Sequence, residues 1–374
     1  MAAAAWFDAI PRWRERLLTS PAFQRWAEAN LLTRWIARRR ATQVFDLMAG
    51  FVYSQVLLAC VRLGLLERLA SSGPQTLPAL ATALGLPGPH CERLLRAAVA
   101  LRLLERRAGD RFGLGALGAP LAANPGLRAL VEHHQALYGD LADPVALLRG
   151  DAGDGALARF WPYAGQAGQA GGAQRAAAYS ALMAATQPMV AEQVLQAYPV
   201  ARHHRLLDLG GGEAAFACAA ARAAPALRVE VFDLPGVAER ARARLAAAGL
   251  SARSEAWAGN FLGDALPAGA DLITLLRVAH DHDDDAVLQL LTAARQALAP
   301  GGRLVLAEPM ADTPGAAAMG DAYFGFYLLA MGRGRPRQAA QLITLLQAAG
   351  FTRVRQRPTR MPLLVGLLVA ETGV

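Results

Sequence analysis

The sequence predicts an α/β protein whose second half is a doubly wound sheet of seven strands, preceded by a smaller, mostly helical domain. From residue 204 onward, short apolar runs alternate with helical stretches, the pattern of a mainly parallel sheet with helices on both faces. One apolar run ends in three consecutive glycines, and 54% of the 374 residues are hydrophobic, enough for a large core. Strands are predicted near residues 205–209, 228–233, 252–258, 270–277, 302–308, 351–356 and 362–370.

Four segments are predicted along the chain. Residues 1–44 form a basic, Trp-rich arm. Residues 45–124 contain three helical patterns and two short strands around a turn, which is the layout of a winged helix. Residues 125–200 form a helical linker that contributes to a substrate pocket, and residues 201–374 form the sheet domain. A winged helix binds DNA in some proteins and serves dimerisation in others, so the fold alone does not choose between them.

The arm combines tryptophan with arginine. It holds four of the six Trp residues, eight Arg and only three acidic residues. This is the composition of a helix that lies on an anionic membrane. The alternative is a helix that packs on its own domain or on a partner subunit. We therefore keep both peripheral membrane contact through residues 1–40 and a packing role as interpretations of the arm.

Net charge, cysteine spacing and apolar runs indicate the cellular compartment of the protein. The formal net charge is +8, and every basic residue is Arg; this permits contact with nucleic acid or membrane without proving either. The three Cys residues are widely spaced, which fits a reducing cytoplasm. The longest apolar run, residues 361–370, is about half a membrane span and favours a strand. We expect a cytoplasmic protein that does not cross a bilayer.

The glycine-rich segment predicts a nucleoside cofactor. Asp208 ends the apolar run, and Gly210, Gly211 and Gly212 follow it closely. Glycines let the backbone turn sharply and approach a ligand more closely than side chains would allow. A second predicted strand ends at Asp233, about twenty residues on, where an acid is placed to accept both hydroxyls of a ribose.

The residues after the glycines indicate which nucleoside it is. Dinucleotides require G-x-G-x-x-G, with a helix N-terminus facing the pyrophosphate. Here Glu213 follows the glycines, and its carboxylate would repel a phosphate. A carboxylate suits a cofactor that carries a sulfonium and an ammonium. The predicted cofactor is therefore S-adenosylmethionine.

From about residue 45 the chain resembles the class I S-adenosylmethionine-dependent O-methyltransferases of the caffeic acid and hydroxyindole type. These are homodimers in which a winged-helix dimerisation domain precedes a Rossmann-like domain. Residues 21–26, 38–40 and 50–56 further resemble the bacterial O-methyltransferases of carotenoid biosynthesis that act on hydroxyneurosporene and demethylspheroidene. The motifs that carry the wider resemblance are residues 207–212, 232–235, 259–261, 277–281 and 300–304.

The resemblance implies a catalytic pair. His280 follows a predicted strand beside the glycine loop, where a neutral imidazole can accept the proton of a hydroxyl, and it matches the family's general base. Glu308 matches one of two glutamates that orient this histidine, whereas Pro336 stands where the second is expected. Ala214 and Asn260 are further departures, at the last loop glycine and at an adenine-contacting aspartate. The implied cofactor-binding residues are Asp208, Gly210, Gly211, Gly212, Asp233, Leu234, Asn260, Phe261 and Arg277.

No metal is expected. The acidic run from His280 to Asp285 superficially suggests a metal cluster, but consecutive residues do not easily converge on one ion. Asp residues before a helix are better explained as a cap and as partners of the helix dipole. The predicted substrate pocket is lined by His134, Trp161, Tyr179, Met183 and Phe324.

The expected function is methyl transfer to a hydroxyl of an apolar substrate. The resemblance implies the tertiary 1-hydroxyl of an acyclic carotenoid, and the alternative acceptor is a soluble phenolic or polyketide. Bacteriochlorophyll C-methyltransferases have a similar layout, but a base at His280 favours a hydroxyl. A DNA-binding regulator is disfavoured because residues 91–107 mix Arg with Glu and hold few Asn or Gln to contact bases. No nucleic-acid partner is expected.

Overall fold

The computed structural model describes residues 13–151, 153, 155–160 and 172–373. It divides into two compact units, of which the first ends at Ala123 and the second begins at Asn124. Each unit contains its own sheet, with three strands in the first and seven in the second. The fold class predicted from the sequence is confirmed.

The first unit is mostly helical. Its three short strands, β1 (Gln75–Thr76), β2 (Leu104–Arg107) and β3 (Arg111–Leu114), pair antiparallel in the order β1-β3-β2. After a helical stretch at residues 13–19, the hydroxyl of Ser20 accepts the N–H of Phe23 and Pro21 occupies the first turn, which starts the next helix. The helices are Pro21–Ala29, Arg34–Arg62, Leu65–Ser72, Leu77–Leu84, Gly88–Ala100 and Gly118–Ala123.

The long helix Arg34–Arg62 changes character along its length. Its last third is packed in the core of the unit through Leu58, Cys60 and Val61. Its first part leaves large apolar side chains exposed. Among the described residues this is the one helix long and apolar enough to cross a membrane, by length and composition alone, a test that core helices of soluble proteins also pass. The exposed side chains at residues 44–52 are Val44, Phe45, Leu47, Met48, Phe51 and Val52.

The sheet of the second unit has the order β6-β5-β4-β7-β8-β10-β9. β10 pairs antiparallel with both β8 and β9, and the other strand pairs are parallel. Because the chain order reverses between β4 and β7, the carboxyl ends of these strands border the crevice where open α/β sheets bind ligands. The strands are β4 (Arg205–Leu209), β5 (Arg228–Asp233), β6 (Ser254–Ala258), β7 (Ala270–Leu276), β8 (Leu298–Glu308), β9 (Arg353–Arg357) and β10 (Gly366–Glu371).

Helices cover both faces of this sheet. Successive strand residues point to opposite faces, so Leu206 joins one buried cluster while Leu207 and Leu209 join the other. Short 3₁₀ helices at Val200–Arg202, Ser251–Arg253 and Ala279–Asp281 and a π-helix at Ala318–Tyr323 complete the unit. Its helices are Pro125–Asp140, Pro144–Arg149, Ala156–Phe160, Gly172–Ala197, Ala215–Ala223, Pro235–Ala247, Asp284–Ala297, Phe324–Met331 and Ala339–Ala348.

Candidate active site

The glycine loop that leaves β4 has no room for a side chain at its first two glycines. Gly210 has φ +63°, and a Cβ there would lie 2.8 Å from Cγ2 of Val278. A Cβ at Gly211 would lie 2.6 Å from Oδ2 of Asp208. Gly212 also adopts a left-handed φ, +57°. The loop therefore forms a close backbone cradle at the end of the strand, as the three glycines predict.

Asp208 is a buried carboxylate beside this cradle. Its Oδ1 accepts the hydroxyl of Thr274 at 2.6 Å. Its Oδ2 has no hydrogen-bond partner within the part of the chain that the structure describes. Burial raises the pKa of Asp208 to about 7; the Thr274 hydrogen bond opposes this shift and the charge of Asp233 adds to it. A carboxylate oxygen in this position fits a cationic ligand, because a positive charge would stabilise its ionised form.

Asp233 joins the end of β5 to the glycine loop. It is buried, and its two oxygens accept the backbone N–H groups of Gly212 and Leu234, each at 2.8 Å. The acid predicted to hold the ribose therefore also fixes the conformation of the loop. Removing its carboxylate would leave both N–H groups without these bonds.

A single pocket brings most of the predicted cofactor residues together. Six of the nine line it, whereas Asp233, Leu234 and Asn260 do not. Asp233 is one hydrogen bond away, through Gly212. The side-chain oxygen of Asn260 accepts the N–H of Leu262 at 3.0 Å, so this residue caps its own turn. The lining is Met183, Ala184, Gln187, Asp208, Gly210, Gly211, Gly212, Glu213, Ala215, Phe261, Leu276, Arg277, Val278, Asp281 and His282.

Two residues other than glycine adopt left-handed conformations at this site. Ala214 has φ +61°, so alanine keeps the backbone geometry expected of the glycine that it replaces. Arg277 has φ +56°, and its guanidinium donates to Thr186 (2.8 Å), Gln187 (2.6 Å) and the carbonyl of Met183 (3.2 Å). These bonds tie the end of β7 to a helix of the linker segment. Nothing in the sequence around Thr186 and Gln187 marked them as site residues.

His280 lies in the turn after β7. Its Nδ1 contacts Oε2 of Glu308, at the end of β8, in a short hydrogen bond. The other oxygen of Glu308 accepts the backbone N–H groups of Val278 (2.9 Å) and Ala279 (2.7 Å). The Nε2 of His280 lies 3.1 Å from Oδ1 of Asp281. The imidazole is therefore bracketed by two buried carboxylates, only one of which, Glu308, follows from the sequence.

These carboxylates determine the protonation of the ring. Burial opposes the charged imidazolium, but the charges of Asp281 and Glu308 outweigh it and raise the pKa of His280 to about 10. Burial also raises the pKa of Asp281. The adjacent His282 behaves oppositely: burial and the charge of Arg333 lower its pKa to about 4. The two neighbouring rings are therefore shifted in opposite directions, His280 toward its charged form and His282 toward its neutral form.

The predicted substrate residues fall in different places. Met183 lines the pocket, and the ring of Phe324 lies edge-on to His280 at 6.1 Å. His134 stacks on Tyr323 at 5.4 Å. Outside the described residues lie Trp161 and the side chain of Tyr179.

The acidic run after His280 leads into helix Asp284–Ala297. Asp283 stands at the N-cap position of this helix, although its side chain makes no capping hydrogen bond there. The carboxylate of Asp284 pairs with Arg335 and Arg337. Among the described residues, no group of three or more His, Cys, Asp or Glu side chains is arranged to hold a metal ion.

Comparison with known proteins agrees with this geometry. The family model of the O-methyltransferase domain matches residues 138–352, and that of the O-methyltransferase dimerisation domain matches residues 45–123. The chain is 44% identical over 355 residues to demethylspheroidene O-methyltransferase of Cereibacter sphaeroides, covering 95% of this chain and 93% of the relative. It is 33% identical over 334 residues to acetylserotonin O-methyltransferase of Mus musculus, covering 85% and 86%.

A solved structure shows the same architecture. The S-adenosylmethionine-dependent methyltransferase SibL, crystallised in its apo form, aligns with a TM-score of 0.73 at 29% identity, covering 89% of this chain and 99% of that one. The dimerisation domain supports a homodimer. The cradle, the unpaired oxygen of Asp208 and the acid at Asp233 fit the cofactor of this family. The chain belongs to the S-adenosylmethionine-dependent O-methyltransferases.

Proposed function

We propose that this enzyme methylates the tertiary hydroxyl at the end of an acyclic carotenoid. The support is its 44% identity, over nearly its whole length, to demethylspheroidene O-methyltransferase. A second relative with that name, from Rhodobacter capsulatus, is 41% identical over 344 residues. The observation that carries the chemistry is the His280 cluster, which follows the strand that borders the cofactor pocket.

The acceptor hydroxyl needs a strong base. A tertiary alcohol is a much weaker acid than a phenol, so its proton must leave as the oxygen forms its new bond. In the proposed mechanism His280 accepts this proton after its ring has lost the Nε2 proton, and Glu308 orients the ring. When bound, S-adenosylmethionine supplies an electrophilic methyl group on a sulfonium; Asp208, the glycine loop and Asp233 would hold it. Positioning both reactants in one pocket contributes much of the rate.

Aromatic side chains near His280 support an apolar substrate. Tyr323, Phe324 and Tyr327 pack with centroids 5.0–6.4 Å apart. The hydroxyl of Tyr327 lies 2.8 Å from Nε2 of His133. Burial, with the charge of His134, lowers the pKa of His133 to about 4, so this ring is neutral. The side of the base formed by Tyr323, Phe324, Tyr327 and His133 is therefore aromatic and uncharged, which suits a long polyene.

We also propose that residues 1–40 lie on an anionic membrane, where such a polyene dissolves. In the described part of the arm, Trp13, Trp26 and Trp35 are exposed. Arg38, Arg39 and Arg40 follow them closely in the sequence. Exposed Trp beside clustered Arg suits the interface of an anionic bilayer.

Expression in cells that accumulate a 1-hydroxylated acyclic carotenoid tests the acceptor. Mass spectrometry of extracted pigments is expected to show a methoxylated product with the gene and only the alcohol without it. Cells that express Asp208→Asn serve as a control for cofactor dependence. An unchanged pigment profile, together with methylation of soluble phenols by the same extract, would identify the alternative substrate class.

A further inference from the structure

His280 has a carboxylate on each ring nitrogen. Glu308 reaches Nδ1 from β8, and Asp281, the next residue in the chain, reaches Nε2 at 3.1 Å. Both carboxylates are buried: the exposed fraction is 2% for Glu308 and 4% for Asp281. Asp281 also lines the cofactor pocket, whereas His280 and Glu308 do not. Asp281 therefore contacts both Nε2 of His280 and the pocket.

A buried arginine holds the backbone on both sides of this pair. Arg337 is among the largest fully buried side chains of the described chain. Its guanidinium donates to the carbonyls of Ala279 (2.8 Å) and His282 (2.7 Å), the residues that flank the pair. Its Nε donates to Asp284 at 2.8 Å, which balances its charge. A planar guanidinium with several fixed donors suits this bridging role, which an ammonium cannot reproduce.

The segment around Arg337 fixes the same turn through its backbone. The N–H of Arg335 donates to the carbonyl of His280 at 2.9 Å. Gly334 has φ +75°, and a Cβ there would overlap that carbonyl. The carbonyl of Arg337 accepts the N–H of Ala311 at 3.0 Å, which anchors the segment to the chain after β8. Three carbonyls of the catalytic turn thus depend on residues 334–337.

We propose that Asp281 is the second carboxylate partner of His280, and that Arg337 is the positioning residue that holds Asp281 against Nε2. The proposal rests on the proposed function, in which His280 is the base. It explains how the site retains two carboxylates although Pro336 provides none. Asp281 and Arg337 act through His280.

The second carboxylate suits a poorly acidic hydroxyl. In the resting enzyme, Nδ1–H donates to Glu308, and the protonated Nε2 forms an ion pair with Asp281. When the Nε2 proton leaves to solvent, its lone pair can accept the proton of the acceptor hydroxyl, so the number of protons balances. The buried carboxylates increase the proton affinity of the ring. Other charged or titratable groups influence this cluster: Arg277 and Tyr327 near Asp281, and His282, Arg333 and Arg337 around the turn.

Histidine titration by NMR in the full-length protein tests this without any carotenoid. The His280 signal, assigned by its loss in His280→Gln, is expected to titrate near pH 10 in the wild type. In Asp281→Asn, which keeps the shape of the side chain, its pKa should fall toward 6.5. Arg337→Met should also lower the pKa of His280. In Arg337→Lys this pKa should lie between the values in Arg337→Met and in the wild type.

Arg335→Met is the matched control, because Arg335 pairs with the same Asp284 but its side chain is 48% exposed, against 1% for Arg337. It should leave the His280 titration unchanged. The activity profile provides a second test: its rising limb should move to lower pH in Asp281→Asn, with a lower plateau.

An unaltered His280 titration in Asp281→Asn overturns the role of Asp281. Equal shifts in Arg335→Met and Arg337→Met overturn the role of Arg337. If Arg337→Met does not fold, Arg337→Lys provides the test. A wild-type titration of His280 in Arg337→Lys would show that a side chain bridging both carbonyls is unnecessary, which would overturn the role of Arg337. Normal titrations with no carotenoid methylation count against the proposed function alone.

Discussion

At the scale of single residues, Asp208 combines a proposed role in cofactor binding with a cost to the stability of the folded protein. Its pKa in the folded protein, about 7, lies above its ordinary 3.8, mainly because of burial. Between these values the folded state holds more protons than the unfolded state, so the free energy of unfolding falls as pH rises through this window. The destabilisation is fully present above pH 7 and absent below about pH 4.

Asp208→Asn should therefore stabilise the cofactor-free enzyme at pH 8, by about 1–4 kcal/mol at roughly 1.4 kcal/mol per pKa unit. An Asn oxygen can still accept the Thr274 hydroxyl. The same variant should bind S-adenosylmethionine more weakly, since the negative charge is lost. Urea unfolding at pH 5 and pH 8, with calorimetry for the cofactor, measures both effects. Equal stability of the two proteins at pH 8 would contradict the assigned protonation.

Asp233→Ala is expected to weaken cofactor binding by about 1–3 kcal/mol, because buried hydrogen-bond partners are left unpaired. The structure adds that the N–H groups of Gly212 and Leu234 lose their acceptor, so the melting temperature should fall as well. Isothermal calorimetry and thermal unfolding measure the two changes. Asp285→Ala, at an exposed position outside the pocket, is the control; an unchanged affinity in Asp233→Ala would remove Asp233 from the cofactor site.

At the scale of secondary-structure elements, residues at the carboxyl ends of strands could be predicted from the sequence. Asp208, Asp233 and Glu308 each end an apolar run, and strand order brings them to one edge of the sheet. The residues that contact the turn at His280 could not be predicted. Arg337 donates to the carbonyl of Ala279, which lies 58 positions earlier in the chain. This contact depends on how the loop before helix Ala339–Ala348 packs, and no local sequence pattern indicates it.

The helix Arg34–Arg62 divides its apolar side chains between core and surface. From Leu58 onward its apolar residues are mainly core residues of their own unit. The exposed apolar surface lies earlier, at residues 44–52. Length and periodicity predict an apolar face but do not say which half of it the domain itself covers.

This surface gives a prediction for the homodimer. Met48→Glu with Phe51→Glu, three positions apart on one helix face, should shift the protein toward monomer, because two charges would be buried against apolar contacts. Light scattering at micromolar concentration measures the mass. The pair Glu92→Gln and Arg96→Gln, which removes an exposed ion pair elsewhere in this unit, should remain dimeric. A dimer that survives the two Glu substitutions would place the interface elsewhere.

At the scale of the whole molecule, the net charge of +8 and the arm predict salt-sensitive membrane binding. The test variant lacks residues 1–33, so that helix Arg34–Arg62 is kept, and has Arg38, Arg39 and Arg40 replaced with Gln. It should no longer sediment with anionic liposomes. Each Arg near the surface contributes about 1 kcal/mol, screened by salt. Activity on a short water-soluble analogue should survive these changes. If the intact protein ignores anionic liposomes at low salt, the arm is a packing element.

The central claim is that His280 serves a weakly acidic, tertiary hydroxyl. The most direct test uses purified enzyme and labelled S-adenosylmethionine. The enzyme is given a 1-hydroxylated acyclic carotenoid in vesicles and, in a parallel reaction, a soluble phenol. We predict label in the carotenoid at a rate that rises with pH up to about 10, and a loss of roughly 10²–10⁴-fold in His280→Ala with cofactor binding retained. Label in the phenol alone, or near-normal turnover by His280→Ala, would contradict the account.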